Sequence, residues 1–462
     1  MNNKRTHGIV SICLGLGLLT SLSARRAAAE VTLVKTDKWE LFTDGRVGGF
    51  ASFTDGDAYP TTEINPATSN PVSTPYGGGI GTNDSSPIRD VIPPPPAPQP
   101  ARPPQGTLRS VRVRSGFLSN IFAVGARTQV GNNTLTSYIQ MWADIESESS
   151  RKYVPAPIDV RQGFLKLEGR WGSLAVGRMG TLFSRGAAEI DFLYGHGYGV
   201  GFPTNLTSNG TTAGHVGTGV LGPGFGAGII YVTPDLAGLH LNVGMFDPVV
   251  IVGSWERTEW PRGEAELTFD RAFGSNGKVH AFVNGAYQTV YRPSEPDSTH
   301  TAAYGAGYGA RVEVGPVHLG VAGHYGQGLG LYYALEASEA SAETTGLGHR
   351  LRKSDGYYGQ LQIALPKVDL NAGAGISRVF PLNTETAIVG GMLQTLPGDG
   401  TPDKNGNRQS LIKYQLGLSA AVVYHLSDNL HFDFDYFRAS FAWQLGQKQV
   451  VNFFNSGLTA TW

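Results

Sequence analysis

The sequence predicts an all-β fold: a closed antiparallel transmembrane β-barrel of about 16 strands, with short periplasmic turns at one rim and long extracellular loops at the other. Three observations carry that expectation. Apolar and polar side chains alternate with a period of two over many short stretches, as strands with two unlike faces require. Turns of two to four residues, rich in Gly, Asn, Asp and Pro, alternate along the chain with long polar connections. The composition suits many short strands, since only 16% of the 462 residues are charged, against a usual quarter, and 63 are Gly. Beyond residue 29 no apolar run approaches the ~18 residues of a membrane helix.

Residues 1–29 read as a secretory signal. Lys4 and Arg5 precede an apolar run over 9–19, and Ala27, Ala28 and Ala29 form a small-residue cleavage site before Glu30. Residues 30–462 are then the barrel. The single cysteine, Cys13, lies inside the apolar run. The mature chain therefore has no disulfide framework, thiolate nucleophile or Cys-based metal site.

The first strand is expected over 39–53, where Glu40, Asp44, Arg46 and Ser52 share one face and Leu41, Val47, Ala51 and Phe53 the other. Residues 54–107 form a long Pro-rich connection ending in the run from Pro93 to Pro104, read as an extended surface loop that does not pair. Seven hairpins follow, at 121–145, 160–183, 225–246, 263–291, 303–327, 355–380 and 411–443. Their internal turns are short. The links between them, among them 184–224, 328–354 and 381–410, are mostly long.

The final stretch, 449–462, closes the pattern. Val450, Asn452, Phe454, Ser456, Leu458, Ala460 and Trp462 share a mostly apolar face. The edge strand of a soluble β-sandwich would alternate in the same way, so this stretch alone leaves both folds open. Segregated turn lengths favour the barrel, because a sandwich has no reason to place all its long loops at one rim. In the seventh hairpin Leu416, Leu418, Val422 and Tyr424 alternate with Gln415, Gly417, Ser419 and His425. Its partner sets Phe432 and Phe434 against Asp433 and Asp435. Charges in lipid are costly, so Asp433 and Arg311 must face a water-filled lumen. The second hairpin is not settled by parity, because Lys166, Glu168 and Arg170 share a face with Phe164.

Three segments resemble the general porins of Gram-negative outer membranes. They are RQGFLKLEGRWGSLAVGR at 161–178, the hairpin FGAGIIYVTPDLAGLHLNVGMF at 225–246, and the terminal NFFNSGLTATW at 452–462. The resemblance spans nearly all of the mature chain. It implies a homotrimer in the outer membrane, in contact with its lipid, through which small hydrophilic solutes and ions diffuse passively. It also implies delivery by the barrel-assembly machinery, which reads the C-terminal strand ending in Trp462. In that family the third loop folds into the lumen and sets acidic residues against a ladder of arginines. The resemblance therefore points to the loop 184–224 as the constriction, with Glu189 and Asp191 on its acidic side, although by residue type alone the two read equally as solvated loop carboxylates. Arg161 and Arg178 match family positions, and Arg46 and Arg127 have lumen-compatible parity. The Pro-Glu-Phe-Gly-type motif of the family's loop is missing, so the loop is expected to differ in shape and to be wider or more mobile.

Nothing in the chain calls for covalent chemistry or a cofactor. No nucleophile elbow, zincin, phosphate-loop or CxxC pattern occurs. A net charge of −1 gives no support to nucleic-acid binding. His280, His318, His324, His425 and His431 fall on strands and read as neutral lumen side chains rather than ligands. Asp399, Asp403 and Asn405 lie in a loop rich in oxygen ligands, which reads as an exposed turn more readily than as a calcium site. Two other functions stay open: a substrate-specific channel for phosphate, a sugar or another anion, and an adhesin or enzyme on a barrel scaffold.

Overall fold

The computed structural model describes residues 30–60, 63–64, 71–76, 108–114, 120–143, 158–193, 214–249, 260–291, 300–332, 334–335, 351–381, 384–389, 392–397 and 409–462. The secretory signal at 1–29, the run from Pro93 to Pro104 and the oxygen-rich turn holding Asp399, Asp403 and Asn405 lie outside them.

Among the described residues, 16 antiparallel strands close into a ring. They are β1 (Trp39–Gly56), β2 (Asn120–Val130), β3 (Asn133–Ala143), β4 (Ile158–Gly169), β5 (Gly172–Gly180), β6 (Phe225–Val232), β7 (Leu239–Phe246) and β8 (Arg262–Phe273). The second half comprises β9 (Gly277–Tyr291), β10 (His300–Val314), β11 (Val317–Gln327), β12 (Lys353–Ala364), β13 (Val368–Phe380), β14 (Gln409–His425), β15 (Leu430–Trp443) and β16 (Lys448–Thr461). Each strand pairs with the next, and β16 pairs with β1 from Arg46 opposite Thr461 to Gly56 opposite Val451. Closure leaves no unpaired edge in the membrane, where an unsatisfied backbone group would cost several kcal/mol.

Alternation sets the two faces as the sequence predicts. Val47, Phe53, Ile139, Leu165, Val283, Tyr308, Val321, Leu418, Phe434 and Leu458 all point outward and are exposed. Arg46, Gln140, Glu266, Asn284, Arg311, Gln360, Gln415, Asp433 and Asn455 point inward and are buried. The second hairpin follows suit, with Leu165 outward and Lys166 inward. A register shift between Gln140 and Met141 leaves Arg161 as an extra residue between Gln162 and Val160. That β-bulge re-aims the Arg161 side chain. The turns are tight, and Gly131, Gly274 and Gly315 adopt φ of 62°, 57° and 56°, which a Cβ disfavours.

Several pairings depart from the expected layout, among them a hairpin of Thr384–Val389 with Met392–Pro397 inside the link 381–410. Val31–Lys35 forms a strand beside the lower end of β1, continuing where β16 stops. Leu108–Arg114 pairs with the upper half of β1 and so extends β2. The prolines of the connection 54–107 predict that it does not pair, but Pro71–Tyr76 forms a strand that runs parallel to the start of β14. On its other side it pairs antiparallel with Glu63–Ile64.

Candidate functional site

The loop after β5 enters the lumen. Its neck is closed by Thr181 N donating to Gly224 O at 2.9 Å. Just inside, Leu182 N and Phe183 N donate to Glu264 Oε2 on β8 at 2.6 and 2.8 Å, and Arg262 Nε lies 2.9 Å from the other carboxylate oxygen. The chain then turns at Ser184, with φ 68°, into the short helix α1 (Arg185–Ile190). Arg185 forms a buried ion pair with Glu266. Gly186 lies against the Phe282 ring of β9, and a Cβ there would sit 2.4 Å from it. The phenol of Tyr358 donates to Ala187 O at 2.7 Å. Together these fix α1 on the wall of β9–β11.

The loop's second described segment, 214–224, is held as firmly. Asp191 is fully buried and accepts hydrogen bonds from His215 N at 2.7 Å, Leu193 N at 2.9 Å and Gln360 Nε2 at 3.2 Å. Burial alone would raise its carboxyl, but the His215 ring and these donors hold it below the usual carboxylate range. His215 stacks on Tyr358 with centroids 5.1 Å apart, and its Nε2 lies 3.2 Å from Ser419 Oγ. Gln415 Nε2 donates to Gly217 O at 2.7 Å, and Gly219 N donates to Ser377 Oγ at 2.8 Å. At Gly375 a Cβ would fall 1.9 Å from Thr218 O, so only glycine allows the loop to lie this close to β13. The described parts of the loop are thus bonded to the wall at both ends.

A second loop also folds inward, which the alternation pattern does not foretell. After β11, Leu329, Leu331, Tyr332 and Leu335 are each at most 1% exposed. Tyr332 OH donates to Gln415 Oε1 at 2.6 Å, and its carbonyl accepts from Gly222 N at 2.6 Å. Ala334 N donates to Gly222 O at 3.1 Å. The two loops brace each other inside the ring.

The sequence-derived site residues divide. Glu189 lies on α1 with its side chain 25% exposed, 3.8 Å from Arg185. Burial pushes its carboxyl above the usual range, with Arg185 opposing. Arg46 faces inward on β1. Arg127 faces inward on β2, with its guanidinium 4.1 Å over the Phe42 ring and paired with Glu30. Arg161 projects inward at the bulge, 4.8 Å from the Trp142 ring and 5.7 Å from Phe225. These three lie on β1, β2 and β4, across the ring from α1. Lys166, bonded to Glu168 at 2.7 Å, adds a fourth inward cation on β4.

Two residues need correction. Asp191 is instead buried, with its oxygens bonded to His215 and Leu193 in the loop and to Gln360 on β12. Arg178 is exposed on the outer wall, with Leu174 and Val176 on the same face and Gly163 and Ala227 as cross-strand neighbours. Alternation along β5 forces this, since Ala175 and Met179 take the inward positions. Arg262, Glu264 and Glu266 were missed as loop anchors. Their alternation with Gly263, Ala265 and Leu267 marked an inward face, but not the backbone groups they bind.

The family model described as Gram-negative porin matches residues 110–439. The chain belongs to the Gram-negative porin family. This porin is similar to the outer membrane channel DcaP of Acinetobacter baumannii, with a TM-score of 0.60 at 12% identity over 94% of this chain and 100% of that one. It is also similar to the anion-selective porin from Comamonas acidovorans, with a TM-score of 0.54 at 9% identity over 92% of this chain and 100% of that one. At such identities the likeness is one of fold. Comparison with the curated proteins gives no match. As a family member with a closed, polar-lined barrel, this porin is an outer-membrane channel for the diffusion of solutes.

Proposed function

We propose that the channel passes small hydrophilic solutes and ions passively, and that its narrowest section is bounded by Glu189 on one side and by Arg46, Arg127 and Arg161 on the other. The observation that supports this reading is the anchoring of the chain entering α1, Leu182 and Phe183 by Glu264 and Arg185 by Glu266, with the Glu189 side chain left 25% exposed. Opposed charges across a narrow gap create a transverse field that orients dipolar solutes, while the braced loops set the size limit. No catalytic step is part of this function. The working form is a homotrimer, exported on the signal at 1–29 and inserted through recognition of the strand ending in Trp462. The family resemblance supports the trimer and the mode of insertion, and the charged start, apolar run and Ala27, Ala28 and Ala29 support the signal.

Planar-bilayer recording tests the reading. Conductance should rise in proportion to salt, without saturation by any one solute. A second reading, a channel specific for an anion, draws on the inward cations Arg46, Arg127, Arg161 and Lys166 of β1, β2 and β4 and on the anion selectivity of the Comamonas porin. Saturable block by one anionic solute would replace the general channel with that specific one.

A further inference from the structure

We propose that His425 and His431 form a site for an exchangeable divalent transition-metal ion at the short-turn rim of the lumen. The two residues are direct cross-strand partners at the end of the β14–β15 hairpin. Their Nδ1 atoms lie 2.8 Å apart, and the rings meet at 89° with centroids separated by 4.9 Å. On the other side of His425, Nε2 lies 2.9 Å from Asp369 Oδ2 on β13. A neutral His425 that donates its Nε2–H to that carboxylate presents the Nδ1 lone pair toward His431. His425 N also donates to Lys367 O at 2.8 Å, which fixes the hairpin end.

Two converging imidazole nitrogens on rigid strands, one oriented by a carboxylate, make half of a tetrahedral nitrogen site. With metal–nitrogen bonds of about 2.0–2.1 Å the nitrogens would stand roughly 3.3 Å apart, so the rings need to part by about half an ångström. The ion takes the place of the hydrogen bond between the rings, and the proton of that bond is released to solvent. Among the described residues no group of three or more His, Cys, Asp or Glu side chains could hold a metal. The remaining positions therefore fall to water, and binding is reversible rather than structural. His425 keeps 23% of its side chain exposed, which gives the lumen access. Imidazole selects zinc, copper or nickel over magnesium or calcium.

The test is calorimetric titration of zinc chloride into the folded full-length protein in detergent. The expected result is about one zinc per chain with micromolar affinity, reversed by EDTA, and no response to magnesium chloride. His425→Ala and His431→Ala should each weaken binding at least ten-fold, and Asp369→Asn should weaken it about ten-fold through the lost orientation. Heat-dependent gel mobility reports whether each variant folds. His431→Gln, which keeps polarity and bulk, serves where the alanine variant does not fold. Zinc binding that survives both histidine substitutions, equal binding of magnesium, or no zinc binding at all would overturn the proposal. The measurement needs no current through the pore, so its outcome is independent of the bilayer test above.

Discussion

Trp462 and Gly45 exchange backbone hydrogen bonds, Gly45 N to Trp462 O at 2.9 Å and Trp462 N to Gly45 O at 3.1 Å. The indole covers the glycine so closely that a Cβ on Gly45 would sit 2.4 Å from it. The last residue of the chain thus completes the seam with the first barrel strand, and only glycine leaves room. Gly45→Val should displace the indole at a cost of about 1–3 kcal/mol, the usual penalty for overpacking. Urea unfolding of the refolded barrel, followed by heat-dependent gel mobility, measures it. A variant as stable as the parent would mean that the terminal ring does not hold the seam.

Asp191 joins two distant stretches of the third loop to the wall. Asp191→Ala strands the N–H groups of His215 and Leu193, each at about 1–3 kcal/mol when buried without a partner. The expected outcome is a loop that opens: higher and noisier single-channel conductance, and new protease cleavage near 191–215 in an intact barrel. The same anchor has a pH dependence. Its carboxyl is depressed in the folded state. The stability it contributes is present above the unfolded value and is lost as pH falls through the lower folded one. Loop release by acid should therefore need a pH below the ordinary carboxylate range.

Glu189 should respond earlier. Its carboxyl is raised by burial, so it gains a proton while the pH is still above the ordinary carboxylate range. With a raised value the sign reverses: the protonated form favours the folded loop at low pH, and that contribution is lost as pH rises through the folded value. Acidification should thus discharge the acidic side of the constriction before the loop lets go. Reversal potentials in a salt gradient should move toward anions in this window. In Glu189→Gln that step should be missing and the neutral-pH selectivity already shifted.

The barrel was legible because its cause is local. Arg46 and Val47 declare opposite faces by adjacency, and lipid forbids the inverse. The loops were legible in length but not in destination. Asp191 meets Gln360 across 169 residues of chain, and no local pattern encodes that contact. The second inward loop did carry a signal, since Leu329, Leu331, Tyr332 and Leu335 form an apolar cluster inside a link otherwise read as polar. Arg178 shows the opposite failure. Family resemblance drew it to the pore, while Leu174 and Val176 already placed it outside.

The second loop makes a prediction of its own. Tyr332→Ala removes the phenol from Gln415 and most of the ring that fills the lumen beside the third loop. Burial of an aromatic of this kind is worth about 3–5 kcal/mol on truncation, but closure of the ring does not depend on it. The barrel should still assemble, with larger single-channel conductance and faster passage of bulky sugars in liposome swelling. Unchanged passage would mean that this loop does not limit the pore.

The arginines can be separated by position. Arg46, Arg127 and Arg161 face the lumen, and Arg178 faces outward on the same half of the barrel. Replacing each of the first three by alanine should shift the reversal potential toward cations, because a fixed positive charge near the path is lost. The shift should shrink as salt rises, since the Debye length falls from about 10 Å at 0.1 M to about 3 Å at 1 M. Arg178→Ala should leave selectivity unchanged. Arginine on the lipid face costs about 2–4 kcal/mol at mid-bilayer and near zero at the interface, so its removal should keep or raise barrel stability. A selectivity shift in Arg178→Ala as large as in Arg127→Ala would contradict the outward placement.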